Sequence, residues 1–129
     1  IEKHLTSLAE HHNIEISFDY PKRKYLLSDN ISLALYRILQ EATTNILKHA
    51  HATSINISVD IGIENLILII SDNGCGFSKT TLANARDANH LGLYGMQERV
   101  ELLNGSFEIE STIGQGTIIK ISIPLKMEC

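Results

Sequence analysis

A chain of 129 residues with 43% hydrophobic and 20% charged residues lies near globular averages. That excludes a disordered or fibrous protein and fits one domain, residues 1–129, around a single core. Eleven basic residues against fifteen acidic ones leave a net charge of -4, so no broad basic field serves a nucleic-acid backbone and any anionic ligand has to be held locally.

Residues 1–12 suit the end of a linker helix. Ile14, Ile16, Phe18 and Tyr20 then alternate with polar residues, the period of a strand with one buried face, and Pro21 closes the run. Ser28-Asp29-Asn30 supplies helix-capping oxygens ahead of a 3.6-residue apolar period from Ile31 to about Ala50. Ser54 to Ile61 and Leu66 to Ser71 read as the two strands of a hairpin turning at Gly62 to Asn65. From Asp72 to about Leu91 the chain is polar and rich in small residues, the chemistry of a mobile loop. A second helix is predicted from about Tyr94 to Leu103, with Met96, Val100 and Leu103 on its apolar stripe and a left-handed stop at Asn104-Gly105. Phe107 to Ser111 and Thr117 to Ile123 form a last hairpin around Gly114-Gln115-Gly116 and end at Pro124. This order predicts an α/β fold, a two-layer sandwich with a mixed, mostly antiparallel sheet packed against about three helices.

The cysteines, Cys75 and Cys129, lie far apart without metal-ligand spacing, which argues against a disulfide framework or zinc site and for a reducing cytoplasm. The longest purely apolar run, Leu66 to Ile70, falls far below the ~18 residues of a membrane span. The chain begins at Ile1 without a signal-peptide pattern and reads as a fragment, expected to be monomeric, of a parent that a membrane can still anchor.

Four short stretches carry possible chemistry. Glu41, Asn45, Lys48 and His49 line the edge of the long helix's apolar face. They suit proton acceptance, Mg²⁺ ligation and phosphate contacts, or simply a solvated helix face. Ser71-Asp72-Asn73-Gly74-Cys75-Gly76-Phe77 follows an apolar strand. Its aspartate offers a fixed acceptor for a group such as the exocyclic amine of adenine, or else an Asx-type bond within a tight turn. His90-Leu91-Gly92-Leu93-Tyr94-Gly95-Met96 opens the second helix, where bare N–H groups and the helix dipole favour an anion, although G-x-x-G is often only a flexible connection. Gly114-Gln115-Gly116-Thr117 serves equally as a plain glycine hairpin.

In order, these stretches resemble the boxes of the GHKL superfamily of gyrase-type, chaperone, histidine-kinase and mismatch-repair ATP-binding domains. The likeness is closest to sensor histidine kinases. ALYRILQEATTNILKHAHA resembles their N box, SDNGCGF their first glycine box, and GLYGMQERVELLNGSFEIESTIGQGTIIKISIPL their second glycine box through the terminal hairpin. The form of these boxes and the short connection between them look like the subgroup typified by nitrate and membrane-fluidity sensors.

The resemblance implies a Bergerat-type fold, ATP and Mg²⁺. It implies that Glu41 polarises or deprotonates an attacking histidine, Asn45 ligates Mg²⁺, and Lys48 and His49 lie near the phosphates. It further implies that Asp72 recognises adenine, Gly74 and Gly76 shape the base pocket, Gly92, Leu93 and Gly95 border the nucleotide, and Thr117 supports the base beside Asp72. The implied partners are the dimerisation and histidine-phosphotransfer domain of the same parent and, indirectly, a response regulator.

One departure limits the likeness. The E-x-x-x-H-D-like acceptor segment of histidine kinases does not occur in the sequence, and His4, His11 and His12 lack that pattern. They are read as surface residues, as are His51 and His90, while Cys75 is read as a small residue tolerated between glycines. A serine kinase of the anti-sigma-factor type, or a non-catalytic ATP sensor working through a lid at Ser78 to Leu91, would share the pocket.

Overall fold

A computed structural model describes residues 14–20, 28–46, 53–76 and 93–125. The expected linker helix end, the 78–91 lid, Lys48, His49 and Gly92 lie outside the described residues. Chain order within them is β1 (Glu15–Asp19), α1 (Asp29–Asn45), β2 (Ser54–Ile61), β3 (Asn65–Asp72), α2 (Leu93–Leu102), β4 (Ser106–Thr112) and β5 (Gly116–Pro124).

The helix α1 starts where its capping chemistry says it should. Ser28 stays extended and its side chain accepts the Ile31 N–H at 3.2 Å, a cap worth about 1 kcal/mol. Asp29 in the first turn adds a charge that the helix dipole favours. Ala34, Leu35, Ile38, Leu39 and Ala42 are buried, the three-and-four spacing that presses one face into a core. Thr43, also buried, hides its hydroxyl by donating to the Leu39 carbonyl at 2.7 Å, and Thr44 does the same to Gln40 at 2.7 Å.

The strands form one five-stranded sheet in the order β1-β2-β3-β5-β4. The β1–β2 pair is parallel, because α1 lies between these strands in the chain and carries it back across the sheet; every other pair is antiparallel. Side chains in register across a ladder share a face, so the pairings stack apolar rows. One holds Phe18, Ile57, Ile70, Ile119 and Ile109, and the next Val59, Leu68, Ile121 and Phe107. These rows join Ile38, Leu39 and the α2 residues Leu93, Met96 and Val100 in the core. The expected two-layer α/β fold with a mixed sheet is the observed one, with two helices among the described residues.

The stop after α2 falls at the expected pair of residues, with their roles divided. Asn104 takes the left-handed conformation (φ 59°). The Gly105 N–H reaches back to the Val100 carbonyl at 2.9 Å and the Asn104 N–H to Glu101 at 2.9 Å, the two bonds of a Schellman cap. Gly105 answers a separate need, since a Cβ there would stand 2.5 Å from the Ser122 carbonyl oxygen.

Candidate functional site

The core-facing side of the sheet changes character in its last row. Ile55, Asp72, Thr117 and Ser111 are in register across β2, β3, β5 and β4, so an apolar surface ends in three neighbouring polar side chains. Asp72 is 8% exposed and Thr117 6%. A buried carboxylate and a buried hydroxyl each need partners to offset lost hydration.

Part of that need is met locally. The Gly74 N–H donates to Asp72 Oδ1 at 2.7 Å, so the Asx-type turn read as an alternative is present. It occupies one side of the carboxylate. Burial raises the Asp72 carboxyl above its ordinary range, while bonds from the backbone N–H groups of Gly74 and Thr117 act the other way. A carboxylate held this way gains from a further hydrogen-bond donor.

The turn after β3 is pinned on two sides. Asn73 Oδ1 accepts the Thr53 and Ser54 N–H groups at 2.9 and 3.0 Å, and its amide donates to Thr53 Oγ1 at 2.8 Å. The Cys75 carbonyl accepts the Gly114 N–H at 2.7 Å, tying the turn to the β4–β5 hairpin. Gly76 has φ +70°, and a Cβ on it would collide with the Thr112 carbonyl. Gly116, with φ +105°, is pressed equally closely on the Asp72 carbonyl. Only glycine meets both demands at these two positions.

Elsewhere, Glu41 is exposed and Asn45 half-buried, one turn apart on α1. Leu93 places its side chain in the core, so its backbone is what it can offer a ligand. Gly95, in the first turn of α2, has open space where a Cβ would go. The structure thus joins Asp72, Gly74 and Thr117 directly, and places Glu41 with Asn45, and Leu93 with Gly95, on separate helices.

Ser111 and Asn73 escape sequence reasoning. Ser111 Oγ lies 2.7 Å from Thr117 Oγ1. Its signal is the alternation continued from Phe107 and Ile109, which puts it on the core face. Nothing local in the sequence announces Asn73's distant backbone partners.

Among the described residues no three His, Cys, Asp or Glu side chains cluster to hold a metal. The Asn45 side-chain oxygen is a hard donor of the type Mg²⁺ takes alongside phosphate oxygens. No helix among the described residues is long and apolar enough to cross a membrane.

Three comparisons bear on this site. Residues 30–127 match the family described as histidine kinase-, DNA gyrase B- and HSP90-like ATPases. The chain belongs to that family of ATPase domains. It is 43% identical over 101 residues to the signal transduction histidine-protein kinase/phosphatase DegS of Bacillus subtilis, covering 78% of this chain and 26% of DegS. It is 37% identical over 97 residues to the oxygen sensor histidine kinase NreB of Staphylococcus carnosus, covering 75% and 27%. The chain therefore spans about a quarter of the length of these curated relatives. Among solved structures, the histidine kinase domain of the Erythrobacter litoralis EL346 blue-light activated histidine kinase superposes with a TM-score of 0.77 at 19% identity, covering 93% of this chain and 57% of that one. The Acinetobacter baumannii histidine kinase AdeS gives 0.74 at 19% identity, over 95% and 59%. At that identity the likeness concerns the fold.

Proposed function

We propose that this domain binds Mg-ATP and donates its γ-phosphoryl group to a histidine on the dimerisation helices of the same sensor histidine kinase, for relay to a response regulator. The reading takes the whole chain as one catalytic and ATP-binding domain acting in the cytoplasm. Its main support is the row of Asp72 and Thr117 at the end of an apolar surface, in a chain of an ATPase family whose matched relatives are named as histidine kinases.

In this reading Asp72 accepts a hydrogen bond from the adenine amine and Thr117 supports the base beside it. The apolar rows next to them give the ring a dry surface. Gly74 and Gly76 hold the turn that forms the pocket wall, while Gly92, Leu93 and Gly95 present the start of α2 to the phosphates. Asn45 would hold Mg²⁺, with Lys48 and His49 close to the phosphates; the ion supplies charge neutralisation when bound. Glu41, exposed on α1, polarises or deprotonates the incoming histidine. Phosphoryl transfer asks mainly for such positioning and electrostatics.

Mixing the domain with a matching dimerisation domain, Mg²⁺ and γ-labelled ATP tests this. An acid-labile phosphohistidine on the partner is the expected product. Acid-stable phosphate on a small partner protein would point instead to the serine-kinase reading, and absence of label at any ratio would leave only ATP sensing.

A further inference from the structure

Both helices join the core on one side of the sheet, and the other side is built differently. Alternation sends every second strand residue away from the core. On that outer side β1 and β2 carry polar groups such as Ser17, Asn56 and Ser58, whereas the next two strands, β3 and β5, carry Ile67, Ile69 and Ile118. None of these isoleucines belongs to the core cluster, and Ile118 is 48% exposed. Acids frame them. Ile118 lies beside Glu110 of β4 in the ladder and Ile67 beside Asp60 of β2, while Lys120, between Ile69 and Glu108, is the one base at the outer positions of the described strands. Glu15 and Asp19 continue the acid on β1.

We propose that this face docks a basic amphipathic helix of a partner protein. Three strand spacings separate β2 from β4, about 14 Å, and a helix with its side chains is about 10–12 Å across. Laid along β3 and β5, such a helix sets its apolar stripe on the isoleucines, while lysines or arginines on its flanks reach Asp60 on one side and Glu108 and Glu110 on the other. Charge selects the occupant. A second copy would bring the same acids against these, and a nucleic acid or an anionic lipid surface is repelled in the same way. The apolar centre is small, so charge carries much of the attraction, the makeup of a reversible contact between separate proteins. The proposal is independent of the nucleotide reading, because the row ending in Asp72 and Thr117 lies on the opposite, core-facing side.

A fluorescein-labelled helical peptide of leucine and lysine, with its leucines on one stripe, is the probe, and its anisotropy reads binding to the domain. Saturable binding that weakens as salt is raised is expected. Ile118→Ser and Ile69→Ser should each weaken it about fivefold or more. Glu108→Gln together with Glu110→Gln should weaken it by a similar factor and flatten the salt dependence. Ile118→Thr, which keeps a β-favouring side chain, should follow the serine variant and guards against a folding defect. Leu102→Ser, at an apolar side chain exposed on α2, should leave binding unchanged. Peptide binding that ignores the isoleucine variants, or that Leu102→Ser weakens equally, would overturn the proposal. So would dimerisation in sedimentation, or binding to phosphatidylserine vesicles, that Ile118→Ser removes. The full-length parent should bind the peptide with the domain's affinity; a parent that excludes it assigns the face to one of its own segments and removes the separate partner.

Discussion

Asp72→Asn is the most informative perturbation of the pocket because its effects on folding and on binding should separate. Asparagine keeps a carbonyl oxygen for the Gly74 N–H that Asp72 Oδ1 now accepts at 2.7 Å, so the turn survives. It removes the charge, and burial already disfavours that charge in the native state. The sign follows from linkage. A carboxyl whose native pKa lies above its ordinary 3.8 binds more protons folded than unfolded between those two values. Stability therefore falls as pH rises through that window and stays at the lower level above it. The difference between wild-type and Asp72→Asn melting temperatures should grow in the mutant's favour from about pH 4 upward, then level off. Binding moves the other way. Losing a charge-assisted hydrogen bond costs about 1.5–3 kcal/mol, on the order of ten- to a hundredfold in affinity. With ATP at a hundred times the wild-type Kd, ligand stabilisation is about 2.7 kcal/mol; a thirtyfold weaker mutant retains about 0.9 kcal/mol. In a domain of this size that is a thermal shift of about 10 °C falling to about 3 °C. Differential scanning fluorimetry with and without Mg-ATP, across pH, reads both quantities. An unchanged ATP shift in the mutant would refute the assignment of Asp72 to the base.

Gly95→Ala should stabilise the apo domain, since a Cβ there meets open space and alanine is favoured over glycine in a helix by about 0.5–1 kcal/mol. The same methyl at the start of α2 should weaken ATP severalfold, and an apo melting temperature that drops would contradict the geometry. Gly116→Ala drives a Cβ into the Asp72 carbonyl at φ +105°. It should cost at least about 2 kcal/mol, read as a lower urea midpoint at an unchanged slope. Glu41→Gln should leave ATP binding intact and slow phosphohistidine formation by roughly a hundredfold or more. Transfer at the wild-type rate would remove Glu41 from the chemistry.

Local chemistry wrote the elements legibly. The alternation of Ile55, Ile57, Val59 and Ile61, the cap at Ser28 and the stop at Asn104 each depend on residues within a turn or two of one another. Covalent geometry sets those periods at 2 and 3.6 wherever the segment ends up. The glycines were visible in the sequence, their reasons less so. Gly76 read as a sharp turn leaving space for a base and Gly116 as part of a glycine hairpin, and each proves to be a backbone crossing with no room for a side chain.

The feature opened by Asp72 shows the division most clearly. Sequence placed an aspartate at the end of an apolar strand, and named Thr117 beside it only through resemblance to a family. That the two touch follows from β5 inserting between β3 and β4, a choice of partner made by long-range pairing and burial. No local pattern encodes it. Ser111 joins them for the same reason, and Asn73 stitches the turn to Thr53 and Ser54 by side-chain bonds to backbone far away in the chain. The sequence determined which groups were available; packing of the sheet decided which of them meet, because hydrogen-bond partners across strands are set by register, not by proximity along the chain.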